Sequence, residues 1–166
     1  MPIELPDNIH LSDDIDAVDW NRLAEVFERA PLGKRDPEVL RQTFLSSGVR
    51  CFALNRAPPA SAVSGSPAAD SATFDGSRII AAGRAITDHI RFALILDVVV
   101  LPEYQGQGIG RRIMQFLARR SGAANMLLHS VPGKEGFYQR LGYRRMKTAM
   151  ALFANPAEAQ QHGHIE

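Results

Sequence analysis

One stretch constrains this chain more than any other: Leu94–Arg112, reading LILDVVVLPEYQGQGIGRR. An apolar run rich in β-branched residues ends at Pro102. Gln105-Gly106-Gln107-Gly108-Ile109-Gly110 follows, and Arg111-Arg112 open an amphipathic segment. β-Branched residues suit a pleated strand, while Ile109, Ile113, Phe116 and Leu117 recur at helical spacing. Strand, glycine turn and helix start, in that order, make a site for a phosphate-bearing ligand. Glycine lets backbone amides converge on an anion, and the helix start adds about half a positive charge. Arg111 and Arg112 can add charge-assisted bonds. Two better-known loops do not fit. A dinucleotide fingerprint needs glycine where Arg111 stands, and a P-loop needs Ser or Thr where Glu135 follows Gly133-Lys134.

At 166 residues, with 45% hydrophobic and 22% charged residues, the chain is expected to form one globular domain, 1–166, with a sizeable core. A net charge of +1 offers no broad field for nucleic acid or a membrane surface, so any anion site must be local. Cys51, the single cysteine, allows no internal disulfide. It lies in the apolar run Val49–Leu54 and reads as a buried hydrophobe rather than a nucleophile. No apolar run approaches the ~20 residues of a membrane span. MPIELPDNIH lacks the basic and apolar regions of a secretion signal. A soluble, cytoplasmic protein is expected.

Along the chain, Ile9–Leu11 reads as a short first strand. A helix capped at Ser12 or Asp13 would carry Trp20, Leu23, Ala24 and Phe27 on its buried face. Asp36-Pro37-Glu38 starts a second helix, with Leu40, Phe44 and Leu45 facing inward. Val49–Leu54, Arg78–Thr87 and Arg91–Leu101 form an antiparallel meander. Residues 57–73, almost entirely Ala, Ser, Pro and Gly, read as a flexible hairpin loop. The glycine turn and its helix lead to a strand at Asn125–His129, which must run parallel to its predecessor. A short helix within Pro132–Leu141, a last strand at Tyr143–Phe153 and a polar tail at 154–166 complete the expectation. His162 and His164 in that tail lack the clustered partners of a metal site, and no metal is expected.

The glycine turn matches Q-x-x-G-x-G through Gln105, Gly108 and Gly110. Some thirty residues on, GFYQRLGYRRM carries an aromatic-Tyr-x-x-x-Gly-aromatic pattern. With DVVVLPEYQGQGIGRRIM, it makes the sequence resemble the GNAT superfamily of acetyl-CoA-dependent N-acetyltransferases. The likeness is close over about residues 78–153. It implies an α/β (α+β) fold, a mixed, mostly antiparallel twisted sheet of six to seven strands with about four helices. It also implies acetyl-CoA as cosubstrate. By the resemblance, Val98, Val99 and Val100 offer backbone groups to the pantetheine arm and the acyl carbonyl. Gln105, Gly106, Gln107, Gly108, Ile109, Gly110 and Arg111 hold the pyrophosphate. Tyr138 matches the tyrosine near the coenzyme sulfur. Asp97 matches an acid near the substrate amine in glucosamine-phosphate acetyltransferases, but the second acid of that branch is replaced by Leu96.

The implied reaction is direct attack of a small-molecule primary amine on the thioester, which needs no enzyme nucleophile. It needs an oxyanion donor, a proton acceptor for the amine and a proton donor for the thiolate. Asp97, or a water chain ending there, is the candidate acceptor and Tyr138 the candidate donor. His129, at the end of a strand, could relay a proton. Two other readings stand beside this one: a catalytically silent acyl-CoA-binding or regulatory module, and a protein-lysine or N-terminal acetyltransferase. The last strand could also pair across a homodimer.

Overall fold

A computed structural model describes residues 5–30, 32–56 and 77–166, so the loop expected at 57–73 lies outside the described residues. The chain divides into two compact units, Met1–Leu128 and His129–Glu166.

The first unit is built on a five-stranded sheet in the order β1 (Ile9–Ser12), β2 (Val49–Arg56), β3 (Ser77–Thr87), β4 (Phe92–Val100) and β5 (Asn125–Leu128). The first four strands are antiparallel neighbours; β5 runs parallel to β4. The mixed, mostly antiparallel sheet is the one expected. Helices α1 (Trp20–Arg29) and α2 (Pro37–Leu45) precede the meander, and α3 (Ile109–Ser121) makes the crossover from β4 to β5.

Helix α1 starts later than Ser12 or Asp13. Those residues are drawn into local turns: Ser12 Oγ accepts the Asp14 N–H and Asp14 Oδ1 accepts the Asp16 N–H. Such bonds compete with helix formation. The cap is Asp19, whose carboxylate accepts the Arg22 N–H at 3.1 Å. Helix α2 starts as read, with Asp36 capping Glu38 and Val39 and Pro37 in the first turn. Leu23, Val26, Phe27, Leu40 and Phe44 are buried, whereas Leu45 is exposed. Phe44 stacks on Phe52 of β2 at 5.4 Å and meets Phe27 edge-on at 6.5 Å, which ties both helices to the sheet.

Helix α3 buries Ile109, Ile113, Met114 and Leu117 against β2, β3 and β4. Its approach to β3 is close because Gly83 has no side chain. A Cβ there would lie 2.7 Å from Ile113 Cγ2 and 3.2 Å from Leu117 Cδ1.

The second unit holds α4 (Glu135–Gln139) and α5 (Pro156–Gln161). Two expectations fail here. Residues 143–153 form no strand, and the sheet has five strands rather than six or seven among the described residues. A strand is stable only with a partner for its backbone, and none pairs with this segment among the described residues; Met150 and Leu152 stand almost fully in solvent. The supposed polar tail contains α5, capped by Asn155 with Pro156 in its first turn. His164 lies there at 4.6 Å from His129, ring to ring, and both flank Phe153. Among the described residues, no helix is long and apolar enough to cross a membrane.

Candidate active site

Strand β4 is interrupted where its chemistry was expected. β3 pairs Ala82 with Val99 and Arg84 with Leu96, so β4 spends one more residue than β3 over this step. That extra residue makes a β-bulge, and Asp97 within it has φ +53°. Aspartate tolerates this left-handed conformation better than most residues. Its side chain is not free: Arg84 Nε donates to Asp97 Oδ2 at 2.5 Å, and Arg84 Nη1 donates to Ser47 Oγ at 3.2 Å. The pair is largely shielded from solvent.

The pairing of β4 with β5 ends at Ile95 and Leu128. From Leu96 to Val100, β4 therefore has one edge bonded to β3, while among the described residues no other strand of the unit pairs with its opposite edge. Leu101 N–H donates to Ile80 O on the β3 side at 3.0 Å. Strand alternation then turns the backbone groups of Val100 and Val98 to the open edge. Val99 bonds inward, and its side chain is buried at 2% exposure. Of the three valines expected to serve a ligand, Val98 presents its backbone N–H and C=O to that edge and Val100 its N–H, the Val100 carbonyl being taken by Gln105 Nε2.

The glycine turn follows at the end of this edge. A 3-10 turn, Pro102–Tyr104, precedes Gln105. Gly106 and Gly108 have φ +78° and +83°, values that an L side chain strains to reach. A Cβ at Gly106 would meet nothing within 4 Å, so the loop's outer side is open. Gly108 is the N-cap of α3 and supplies no side-chain cap. The first intrahelical bond at this end runs from Arg112 N–H to Gly108 O. The amides of Ile109, Gly110 and Arg111 thus lack helical partners and point out of the helix start. Side chains fix the loop from behind: Gln105 Nε2 donates to Val100 O at 3.0 Å and Gln107 Nε2 to Glu103 O at 3.1 Å. Ile109, 1% exposed, anchors it in the core. The residues present suit a pyrophosphate: amides without partners, a positive helix end and Arg111 beside them.

In the second unit, Tyr138 lies on α4. Its phenol is half-buried, with Phe137 edge-on at 4.9 Å and Tyr143 at 6.2 Å. Burial raises its pKa above the ordinary tyrosine value, so it is protonated and a donor at neutral pH. α4 fully buries none of its residues, which differs from the buried Phe137–Leu141 stripe expected. Cys51 is buried at 0% exposure, and desolvation pushes its thiol far up, leaving no nucleophile there.

Two features of the site escaped the sequence. One is Arg84, the partner of Asp97; its only signal was a charge inside the small-residue run Ala81-Ala82-Gly83-Arg84-Ala85. The other is the bracing of the loop from outside. Arg29 of α1 reaches Glu103 at 3.0 and 3.1 Å, and Asn55 of β2 donates to the Tyr104 hydroxyl at 2.8 Å while Asn8 donates to Asn55. Contacts spanning this many residues leave no local pattern.

Comparison with known proteins now adds to this geometry. A family model described as an acetyltransferase (GNAT) domain matches residues 71–145. The chain is 33% identical over 129 residues to serotonin N-acetyltransferase 2, chloroplastic, of Oryza sativa, covering 76% of this chain and 56% of that protein. It is 39% identical over 69 residues to GCN5-related N-acetyltransferase 2, chloroplastic, of Arabidopsis thaliana, covering 40% and 27%. The chain thus spans just over half of the first of these relatives and about a quarter of the second. A GNAT family acetyltransferase structure from Streptococcus pneumoniae superposes with a TM-score of 0.62 at 20% identity, over 89% of this chain and 96% of that one, which shows the shared fold.

Proposed function

The chain carries a GNAT acetyltransferase domain, and from that premise we propose that it transfers an acetyl group from acetyl-CoA to the primary amine of a small molecule. The observation that carries this reading is the union, in one unit, of an open β4 edge and an uncapped, glycine-started α3. The first offers a ladder of backbone groups to an extended amide-bearing arm; the second offers amides to its diphosphate. A small acceptor is favoured because the rice relative, whose likeness runs along 76% of this chain, is named for a small amine.

Acetyl-CoA supplies the activated thioester carbonyl. In this reading the attacking amine gives up its proton to solvent water, and the chain's own groups bind, orient and protonate. Outward amides of Val98 and Val100 are the donors available to a developing oxyanion, fixed in place by the sheet. Gln105 to Arg111 bind and orient the diphosphate. We assign Tyr138 the proton for the departing thiolate, on the match of GFYQRLGY to the family motif and on the protonated state that burial preserves. Asp97 is assigned a positioning role, since its carboxylate already holds Arg84 across the β3–β4 pair.

A thiol-release assay with purified protein and acetyl-CoA tests the reading, using arylalkylamines, polyamines, amino sugars and lysine peptides as acceptors. Release dependent on a small amine is expected. Absence of both acetyl-CoA binding by calorimetry and acyl transfer would overturn it.

A further inference from the structure

The far end of the first unit holds a second cluster of cations. A cleft of about 330 Å³ is lined by Asp13, Gly48, Val49, Arg50, His89 and Arg120. These come from four places: the segment after β1, the start of β2, the β3–β4 turn and the last turn of α3. Arg120 lies eleven residues along α3 from Ile109, about 17 Å from the glycine turn at the helical rise, so the cleft is separate from the pyrophosphate cradle.

Of its two arginines, Arg50 has no internal partner among the described residues and Arg120 has only an exposed one. Arg50 makes no ion pair or side-chain hydrogen bond among the described residues, and its Nε is buried with no acceptor. A buried, unmatched donor is costly, and native structures rarely keep one without a ligand or water. Arg120 pairs with Asp13, an exposed contact that a stronger anion can displace. His89 is held at φ +60° with its main-chain N–H on Thr87 Oγ1. Its Nδ1 lies 3.0 Å from Ser121 O, so Nδ1 carries the hydrogen and donates. That bond and one from Thr87 Oγ1 occupy the carbonyl at the negative end of α3. Nε2 faces Gly48, whose missing side chain leaves the cleft open: a Cβ there would lie 3.5 Å from Nε2 and 3.1 Å from Thr87 Cγ2.

We propose that Arg50 and Arg120 as donors, with His89 Nε2 accepting the anion's P–OH, form a binding site for hydrogen phosphate, distinct from the coenzyme cradle. Two guanidinium groups from different elements match the spread of oxygens on a dianion. A lone carboxylate, Asp13, opposes them, so a dianion gains more than a monoanion from displacing it.

Inorganic phosphate is the probe, titrated into ¹⁵N-labelled protein at constant ionic strength with acetyl-CoA saturating. Saturable shifts are expected at Gly48, Arg50 and His89. Acetate should bind at least about fivefold more weakly. Arg50→Met should weaken phosphate about tenfold, the loss of one charge-assisted contact. Asp13→Asn, which removes an exposed carboxylate and leaves the core alone, should tighten it roughly threefold. Shifts confined to 106–111, equal binding of acetate, or phosphate affinity unmoved by both variants would overturn the site. Failure of acetyl-CoA itself to bind would count against the proposed activity and leave these residue-resolved results standing.

Discussion

Gly83→Ala tests whether the seat of α3 on the sheet governs coenzyme binding. The added Cβ would lie 2.7 Å from Ile113 Cγ2, closer than real Cβ contacts, and 3.2 Å from Leu117 Cδ1. Leu117 ends in a mobile methyl that can swing away. Ile113 Cγ2 cannot, because it sits on a β-branched carbon whose χ1 is nearly fixed in a helix. The helix itself must therefore shift by some tenths of an ångström. Overpacking of this kind costs about 1–3 kcal/mol. For a chain of this size that lowers Tm by roughly 2–12 °C. Urea unfolding followed by circular dichroism should show a lower midpoint with unchanged slope. The same shift moves the amides of Ile109, Gly110 and Arg111, so acetyl-CoA should bind several-fold more weakly by calorimetry. Ile113→Leu removes the obstructing branch; in the double variant, stability and affinity should recover together relative to Gly83→Ala. If Gly83→Ala is as stable as the parent, or if Ile113→Leu makes it worse by the simple sum of the two, the close-approach argument is wrong.

Tyr138→Phe should lower kcat about 10²-fold while leaving acetyl-CoA affinity within about threefold, as expected for loss of a general acid. Because burial raises the phenol's pKa, the acid stays protonated until pH exceeds the ordinary tyrosine range. The parent's kcat should show no Tyr138-linked fall up to pH 9, and a fall near neutrality that Tyr138→Phe abolishes would contradict this. In the second unit, partial burial and then His164 lower the pKa of His129. The unfolded chain binds its proton more readily, so the stabilisation is complete above the ordinary histidine value and lost as pH falls through the lowered one. Hydrogen exchange of the α5 amides, corrected for intrinsic rates, should speed up over that interval; His129→Phe, which keeps a ring beside Phe153, should flatten the response, and an unchanged pH dependence would exclude His129.

What the sequence made legible follows from the range of the forces involved. The β2–β3–β4 meander, the Asp36-Pro37 helix start and the glycine turn rest on near neighbours, and all three stand where they were read. The Ser12–Asp16 stretch misled because Ser and Asp cap helices and close small turns alike, and here Ser12 and Asp14 close turns. Residues 143–153 misled for another reason. Their apolar content suits a strand, but a strand exists through its partner, and sequence does not name one. The anion cradle was legible because its work is done by backbone, which glycine announces. The ion pair at Asp97 was not, because Arg84 meets it across a strand pair and a bulge.

That pair decides how Asp97 should be tested. Asp97→Ala confounds two effects: it strains the backbone at φ +53° by about 1–2 kcal/mol, and it strands the shielded Arg84 guanidinium at a further cost of about 1–3 kcal/mol. Asp97→Asn separates them. Asparagine accepts the left-handed conformation and its Oδ1 can still receive the Arg84 Nε–H, so the bulge keeps its shape while the proton-accepting carboxylate is gone. If Asp97 were the general base, kcat would fall 10²-fold or more (about the span of general-base catalysis) and the acidic limb of the pH–rate profile would vanish. For a positioning residue, kcat should fall less than about tenfold, the acidic limb should survive, and Asp97→Ala should be clearly worse in both kcat and Tm. A collapse of kcat in Asp97→Asn with Tm unchanged would return the carboxylate to the chemistry and leave Arg84 as the group that orients it.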